Sequence, residues 1–228
     1  MKIAAFDTSS KALTLAILED ETLLAQMTLN IKKNHSITLM PAIDFLMNSL
    51  DMKPKDLDRI VVAQGPGSYT GLRIAVATAK TLAHTLKIEL VGVSSLLALV
   101  PEQAEGLVIP IMDARRNNVY AGFYQSGQAV RPEAHLPLAE VLGIADTADQ
   151  PVTFVGETTA FVEQIEAALP QAAIQPTLPD AAVIGRLGLD LPAQSIHDFV
   201  PNYLKRVEAE ENWLKTHHES SDSYIQRL

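Results

Sequence analysis

The chain contains no cysteine among its 228 residues, and this absence removes several kinds of chemistry. Disulfides, thiolate nucleophiles and cysteine-ligated zinc are all excluded, and such a composition is typical of a reducing compartment. No apolar run approaches the roughly 20 residues that span a bilayer. The N-terminal residues also reach Asp7 before an apolar leader can form. The sequence therefore predicts a cytoplasmic protein with no membrane partner.

Positive charge is also scarce, because 18 lysines and arginines stand against 27 acidic residues and give a net charge of −9. Affinity for nucleic acid comes largely from phosphate contacts made by clustered lysine and arginine. The chain is therefore not expected to hold RNA by itself, and any contact with RNA should run through a partner. With 47% hydrophobic residues, it can bury one sizeable core or two smaller ones.

An internal repeat predicts the architecture. Two apolar strands joined by a short turn occur near the start, with Asp7 ending the first strand and residues 13–18 forming the second. The same arrangement recurs 106 positions later, where Asp113 ends the first strand and residues 119–124 form the second. Each hairpin is followed by a helical pattern and then by a strand that ends in glycine. The repeat predicts an α/β fold of two β-β-α-β-α lobes.

The repeat also divides the chain. Residues 1–102 are predicted to form an N-terminal lobe and residues 103–205 a C-terminal lobe. A helix and tail over residues 206–228 are predicted to return to the first lobe. Residues 125–148 and 171–178 are rich in Pro, Gly, Ala and polar residues, so they are predicted to be loops and short helices.

A glycine-rich turn follows the apolar run that ends at Ala63, and residues 65–74 read GPGSYTGLRI. Glycine permits a turn that side chains would block, and Ser68 or Thr70 can cap the helix that follows. Such a turn can present backbone N–H groups to an anion or to a carboxylate of a partner. A structural corner without a ligand explains the same pattern, and both explanations stay open here.

Two helical patterns in the first half are unusually apolar. Residues 38–50 carry a broad apolar stripe, and residues 72–86 are apolar or small almost all round. A helix without a polar face is buried on two sides. One side must meet its own sheet, and the other meets either a further element of the same lobe or another chain.

The start of each lobe resembles the actin, sugar-kinase and Hsp70 ATPase superfamily, in which the first hairpin binds nucleotide phosphate. This resemblance implies that Asp7, Thr8 and Ser9 contact a phosphate. The alternative is that Asp7 only accepts backbone N–H groups of its own turn.

Six motifs then narrow the resemblance to the bacterial TsaB (YeaZ) family, over nearly the whole chain. In order they are DTS at 7–9, HS at 35–36, GPGSYTGLRI at 65–74, VGVSSL at 91–96, DAR at 113–115 with VY at 119–120, and PNYLK at 201–205. The resemblance implies a duplicated two-lobe actin-like fold. It further implies a non-catalytic scaffold that activates TsaD, the subunit that transfers threonylcarbamoyl to the adenosine beside the anticodon of tRNAs reading ANN codons.

The same resemblance implies partners and contact residues. The partners are TsaD as a heterodimer, the TsaE ATPase and a second copy of this chain, with tRNA reached only through the complex. No cofactor is expected to be held stoichiometrically, although ATP or ADP fits at the interface of the complex. The residues implied to contact a partner are His35, Met40, Met47, Gly65, Gly67, Tyr69, Thr70, Arg73, Ala75, Ala79 and Leu82.

The family's catalytic paralogue carries two metal-binding histidines one helical turn apart, at the places aligned with Ser95 and Leu99. Leucine has no lone pair to offer a metal, so neither a metal site nor a catalytic residue is predicted here. Two alternatives stay open: a stand-alone glycoprotease or ATPase, and a sugar or acid kinase of the same superfamily.

Overall fold

The computed structural model describes residues 1–31, 34–101 and 103–205. The helix and tail predicted for residues 206–228 lie outside these described residues. None of the helices formed by the described residues has both the length and the apolar character needed to cross a bilayer.

The first lobe is built on a five-stranded mixed sheet. Its strands are β1 (Lys2–Asp7), β2 (Leu13–Glu19), β3 (Thr22–Leu29), β4 (Arg59–Gly65) and β5 (Glu89–Ser94). Their order is β3-β2-β1-β4-β5, in which β1 to β3 form an antiparallel meander and β4 and β5 run parallel to β1. Helices α1 (His35–Ser49) and α2 (Tyr69–Leu86) bury their apolar stripes with one face of this sheet in a single core.

The second lobe repeats this topology strand for strand. Its strands are β6 (Leu107–Asp113), β7 (Asn118–Gln125), β8 (Gln128–Pro137), β9 (Val152–Gly156) and β10 (Ala173–Pro176), in the order β8-β7-β6-β9-β10. Helices α3 (Leu138–Asp146) and α4 (Val162–Ala168) complete its core. The predicted duplicated α/β fold is confirmed.

Each lobe has two strands more than the repeat predicted. The meander has a third strand, β3 or β8, and a fifth strand, β5 or β10, closes the sheet. Residues 125–148, predicted as loops and short helices, contain β8 and α3, and residues 171–178 contain β10. The sequence of β8 does not have the pattern of a strand, because β8 lies at a sheet edge, where Pro132 and polar side chains are tolerated.

The two hairpins differ in register by one residue. Asp7 lies opposite Thr14, whereas Asp113 lies opposite Val119. Directly opposed residues share a face of the sheet, and Val119 faces the helices of its lobe whereas Thr14 does not. The two aspartates therefore lie on opposite faces. Matching positions of β2 and β7 are 106 residues apart, as the repeat predicted. Matching positions of β1 and β6 are one residue closer than that.

After the second sheet the chain returns to the first lobe. Helix α5 (Ala181–Leu187) packs on β1 and β2, where it covers the face away from α1 and α2. The buried guanidinium of Arg59 then donates to the carbonyls of Gly188 and Leu189 at 2.6 and 2.7 Å. Phe199 is buried in the first core. The return begins by Ala181 and not after residue 205 as the sequence predicted.

Candidate functional site

The cleft between the lobes is the concave feature that brings together residues of both lobes. It contains two adjoining cavities of about 580 and 530 Å³. Both are lined by the first hairpin and by the C-terminal ends of β6 and β9, which is the usual place for a ligand in a sheet of this kind. Residues lining both cavities are Ser10, Lys11, Met112, Asp113, Arg115 and Glu157.

Asp7 lies fully buried at the end of β1 and bonds to its own turn. Its Oδ1 accepts the backbone N–H of Ser9 at 2.5 Å, and its Oδ2 accepts the Ser9 hydroxyl at 3.0 Å. Burial, with the charge of Glu157 as a smaller contribution, raises the pKa of the Asp7 carboxyl to about 6 although these bonds act in the opposite direction. The structure thus shows the turn-capping arrangement that the sequence left open.

The glycine-rich turn packs directly against this hairpin. The Thr8 hydroxyl donates to the Gly71 carbonyl at 2.8 Å, and the Ser68 N–H donates to the Ser9 carbonyl at 2.6 Å. A Cβ atom on Gly71 would lie 1.9 Å from the Thr8 carbonyl oxygen, and one on Gly67 would lie 2.5 Å from that of Ser9. Glycine at these positions allows two backbones to touch, so a structural corner accounts for the motif.

These contacts decide how well residues 7–9 fit a nucleotide phosphate. The Ser9 amide and hydroxyl already donate to Asp7, and the Thr8 hydroxyl donates to Gly71. All three side chains of residues 7–9 are buried. A phosphate would have to displace the Asp7 carboxylate from its own turn, so the residues do not fit a nucleotide as they stand.

Helix α2 begins at the end of the turn, where the Ser68 hydroxyl accepts the Gly71 N–H. Its inward face packs on β4 and includes Ala75 and Ala79, both fully buried. These two residues belong to the core of the lobe, which corrects the prediction that their side chains contact a partner. The exposed face of α2 carries small and polar residues, namely Thr70, Arg73, Ala77 and Thr81.

Helix α1 begins at His35, where the Asn34 side chain accepts the N–H of Ser36. Met47 is buried in the core, so it too is removed from the predicted contact residues. The outward face carries large apolar side chains among polar ones. Ile37, Met40 and Phe45 are 68%, 46% and 60% exposed.

The exposed apolar surface of α1, formed by Ile37, Met40 and Phe45, was only partly predicted. Met40 was named from the sequence, whereas Ile37 and Phe45 were not. The spacing held the missing signal, because Ile37, Pro41 and Phe45 recur every four residues and lie along one side of a helix.

Other predicted contact residues gather at the mouth of the cleft. His35 lines it and places Nε2 3.0 Å from the Ser10 carbonyl oxygen. Tyr69 stacks on Tyr203 with ring centroids 5.0 Å apart, and Arg73 donates to the Tyr69 hydroxyl at 2.8 Å. Two further predicted residues lie elsewhere. Gly65 touches the return segment, which is the chain from residue 181 to residue 205. An added Cβ on Gly65 would lie 2.4 Å from the Asn202 carbonyl oxygen, and the half-buried Leu82 packs on the core.

The second lobe supplies a different set of charges, of which Asp113 and Arg115 belong to a motif named from the sequence and Glu157 does not. The Glu157 carboxylate accepts the Asp113 N–H at 2.8 Å, and burial raises the pKa of Glu157. Asp113 in turn pairs with the exposed Arg115 at 2.7 Å. Within the described residues, no three His, Cys, Asp or Glu side chains come together as a metal site.

The two positions compared above with metal-binding histidines lie at the junction of the lobes. Ser95 is fully buried, and its Oγ has no hydrogen-bond partner. Leu99 packs with Val108 and Val155 of the second sheet. Neither side chain is placed or equipped to hold a metal ion.

Comparison with known proteins gives concordant results. A sequence profile of the TsaD family, described as tRNA N6-adenosine threonylcarbamoyltransferase, matches residues 22–213. The chain is 42% identical to the tRNA threonylcarbamoyladenosine biosynthesis protein TsaB of Bacillus subtilis, over 95% of this chain and 99% of that protein. It is 29% identical to the Escherichia coli TsaB over 55% of each chain. The solved structure of YeaZ from Pseudomonas aeruginosa superposes with a TM-score of 0.77 at 28% identity, covering 89% of this chain and 99% of that one.

Proposed function

Since the chain belongs to the TsaB branch of the threonylcarbamoyltransferase family, and thus to the proteins of tRNA threonylcarbamoyladenosine biosynthesis, we propose that it is a non-catalytic scaffold that binds and activates TsaD. The observation that carries this proposal is the exposed apolar surface of α1. Two of its three large side chains are more than half exposed in the isolated chain. Apolar surface of this kind on a helix is typical of a protein–protein contact.

The adjoining face of α2 supports a helix-to-helix contact. Thr70, Ala77 and Thr81 are small enough to let a second helix approach closely, and Met40 on α1 can adapt to unlike partners. The proposed occupants are TsaD and, in its absence, a second copy of this chain. TsaE is proposed to join through the assembled complex.

The non-catalytic part of the proposal rests on what the cleft residues do. The polar groups of residues 7–9 are hydrogen-bonded to one another and to Gly71, and Leu99 has no donor atom for a metal. Ser95 is buried beyond the reach of a substrate, which disfavours a serine hydrolase. We expect the purified chain to carry no stoichiometric iron or zinc, and elemental analysis showing about one metal per chain would overturn this part.

The central test is reconstitution with TsaD of the same organism. Threonylcarbamoyl transfer to tRNA is measured with and without this chain, beside co-purification of the two proteins. We expect no turnover by this chain alone and a marked gain when it joins TsaD. Turnover by this chain alone, or TsaD activity independent of it, would reject the scaffold role.

A matched pair of variants locates the surface. Ile37→Asp places a charge within the exposed apolar surface of α1, and Val130→Asp places the same charge on exposed β8. The first variant should lose co-purification and stimulation because an unpaired charge is costly in an apolar contact, while the second keeps both. Equal loss in both variants would place the contact elsewhere.

Binding of tRNA offers a separate test. At a net charge of −9 the chain alone should bind labelled tRNA weakly and with strong sensitivity to salt, whereas the complex should bind much better. Titrations at near-physiological salt compare this chain, TsaD and both together. If this chain alone binds as tightly as the complex, an RNA-recognition role replaces the scaffold.

A further inference from the structure

One carboxylate oxygen accepts hydrogen bonds from both lobes. Ser94 stands at the end of β5 in the first lobe, and Tyr124 lies on β7 in the second. Both hydroxyls donate to Oε1 of Glu133, which lies on β8. One acceptor oxygen thus receives a donor from each lobe, so this contact links the two lobes directly.

The backbone of β8 is shaped to aim Glu133 at this point. Ala121 pairs with Ala134 and Phe123 pairs with Arg131, so two residues of β8, Pro132 and Glu133, oppose the single residue Gly122. This is a β-bulge, a device that redirects a side chain at a sheet edge.

Gly122 makes room for the second donor. A Cβ atom on Gly122 would lie 2.5 Å from Cε2 of Tyr124. The missing side chain therefore lets the Tyr124 ring lie against the sheet with its hydroxyl toward Glu133. Burial, with the Glu133 charge as a further contribution, raises the pKa of Tyr124, so the phenol keeps its proton and remains a donor.

Ser94 is held just as firmly from the first lobe. Its Oγ accepts the N–H groups of Leu96 and Leu97 at 3.0 and 3.1 Å while its hydroxyl hydrogen goes to Glu133. Leu96 and Tyr124 belong to one apolar cluster at the junction of the lobes. This cluster limits the access of water to the shared carboxylate.

We propose that Ser94, Glu133 and Tyr124 form a clasp that fixes the angle between the two lobes and hence the opening of the cleft. The chain passes between the lobes near residues 95–106 and again near residues 177–180, and two such connections alone permit hinge rotation. The clasp removes that freedom, so the cleft of this chain stays at one opening. The inference concerns the chain by itself and stands whether or not the scaffold proposal holds.

The experiment measures the distance between the lobes. Because the chain has no cysteine, Lys55→Cys and Gln171→Cys give one exposed spin-label site in each lobe without background labelling. Double electron–electron resonance should give one narrow distance distribution for this labelled protein. Removing the shared acceptor with Glu133→Ala should raise the population of open conformers roughly tenfold.

Two variants and a control complete the test. Ser94→Ala removes the hydroxyl that reaches Glu133 from the first lobe and should broaden the distribution in part, and it decides the question if Glu133→Ala does not fold. Glu133→Gln keeps an acceptor oxygen and should restore most of the narrow distribution. Glu166→Ala, at an exposed glutamate of α4, should change nothing. An unchanged distribution in folded Glu133→Ala or Ser94→Ala, or equal broadening in the control, would overturn the clasp.

Discussion

The two lobes share one strand order, but their first helices turn different surfaces outward. In the first lobe α1 exposes Ile37, Met40 and Phe45. In the second lobe α3, which follows the same three-stranded meander, exposes Ala139 and Glu140. The comparison teaches that duplication preserved the cores and left the surfaces free to diverge, so a partner surface should be sought on the first lobe.

The hairpins show the same divergence inside the cleft. Both aspartates accept the backbone N–H of the residue two positions on, but Asp7 is fully buried, whereas Asp113 is partly exposed and also pairs with the Arg115 guanidinium. The glycine-rich turn that packs on the first hairpin continues into α2. The first lobe therefore carries the tighter and electrostatically more costly packing. Four pairs of substitutions, one member in each lobe, test this difference.

Substitution of glycine by alanine should give the largest difference in stability between the two lobes. Gly71→Ala forces a Cβ atom to within 1.9 Å of the Thr8 carbonyl oxygen, so it should lower the free energy of unfolding by about 4 kcal/mol. Gly143 on α3 has no heavy atom within 4 Å of an added Cβ. Gly143→Ala should raise stability by roughly 0.5–1 kcal/mol, because alanine favours the helix. Urea denaturation measures both, and similar values for the two variants would remove the contrast.

Substitution of the two aspartates should give the second largest difference in stability between the lobes. Because the pKa of Asp7 rises from 3.8 to about 6 on folding, the native state holds the proton more tightly than the unfolded state. The contribution of Asp7 to the free energy of unfolding should therefore fall as pH rises from about 4 to 6 and then stay level.

Asp7→Asn removes this titration and keeps an acceptor for the Ser9 N–H. It should be up to about 3 kcal/mol more stable than the parent above pH 6, and equal to it at low pH. Asp113→Asn loses a partly exposed ion pair, worth less than about 1 kcal/mol, and should keep the fall in stability that Asp7 causes. Denaturation at several pH values checks both, and a flat parental profile would contradict the assignment to Asp7.

The outward faces should differ in self-association. Phe45→Asp places a charge on the exposed apolar surface of α1 and should weaken dimerisation by about 2 kcal/mol, or roughly 30-fold in Kd. Ala139→Asp places the same charge on α3 and should leave the dimer intact. Sedimentation equilibrium over a dilution series gives both constants. Weakening by Ala139→Asp alone would move the interface to the second lobe.

The smallest effect should come from the return segment. Tyr203→Ala removes the ring that stacks on Tyr69 and should lower the free energy of unfolding by about 1 kcal/mol. Val130→Ala, on the exposed edge of the second lobe, should change it by roughly 0.5 kcal/mol or less. Thermal melting resolves the two, and equal shifts would mean that the stack does not fasten the segment.

The repeat and the motif order were enough to predict the duplicated fold, because apolar alternation and aspartate placement survive in both copies. They did not reveal β8, whose edge position accepts Pro132 and charged residues that argue against a strand. They also did not show where the chain returns to the first lobe. The apolar side of α5 packs on the first sheet, but an apolar helix face does not indicate which of two sheets it covers.

The candidate surface was predicted only in part for a similar reason. Small and apolar residues lie on nearly every side of α2, so the pattern cannot say which side faces the sheet. Ala75 and Ala79 were assigned outward, and the structure buries both. One of the two explanations given for Asp7 was that it accepts N–H groups of its own turn, and the structure shows this arrangement. The sequence alone does not identify Ser9 as the donor. The charge on Glu157 becomes relevant only once the lobes face each other.

The return of α5 and Phe199 to the first lobe sets an order for synthesis on the ribosome. The lobe that emerges first is finished last, because its sheet face stays bare until residues 181–199 leave the exit tunnel. A nascent chain halted after residue 101 carries an uncovered apolar sheet and is a natural client for chaperones. The second lobe meets no such delay, since its core is complete once β10 has been made.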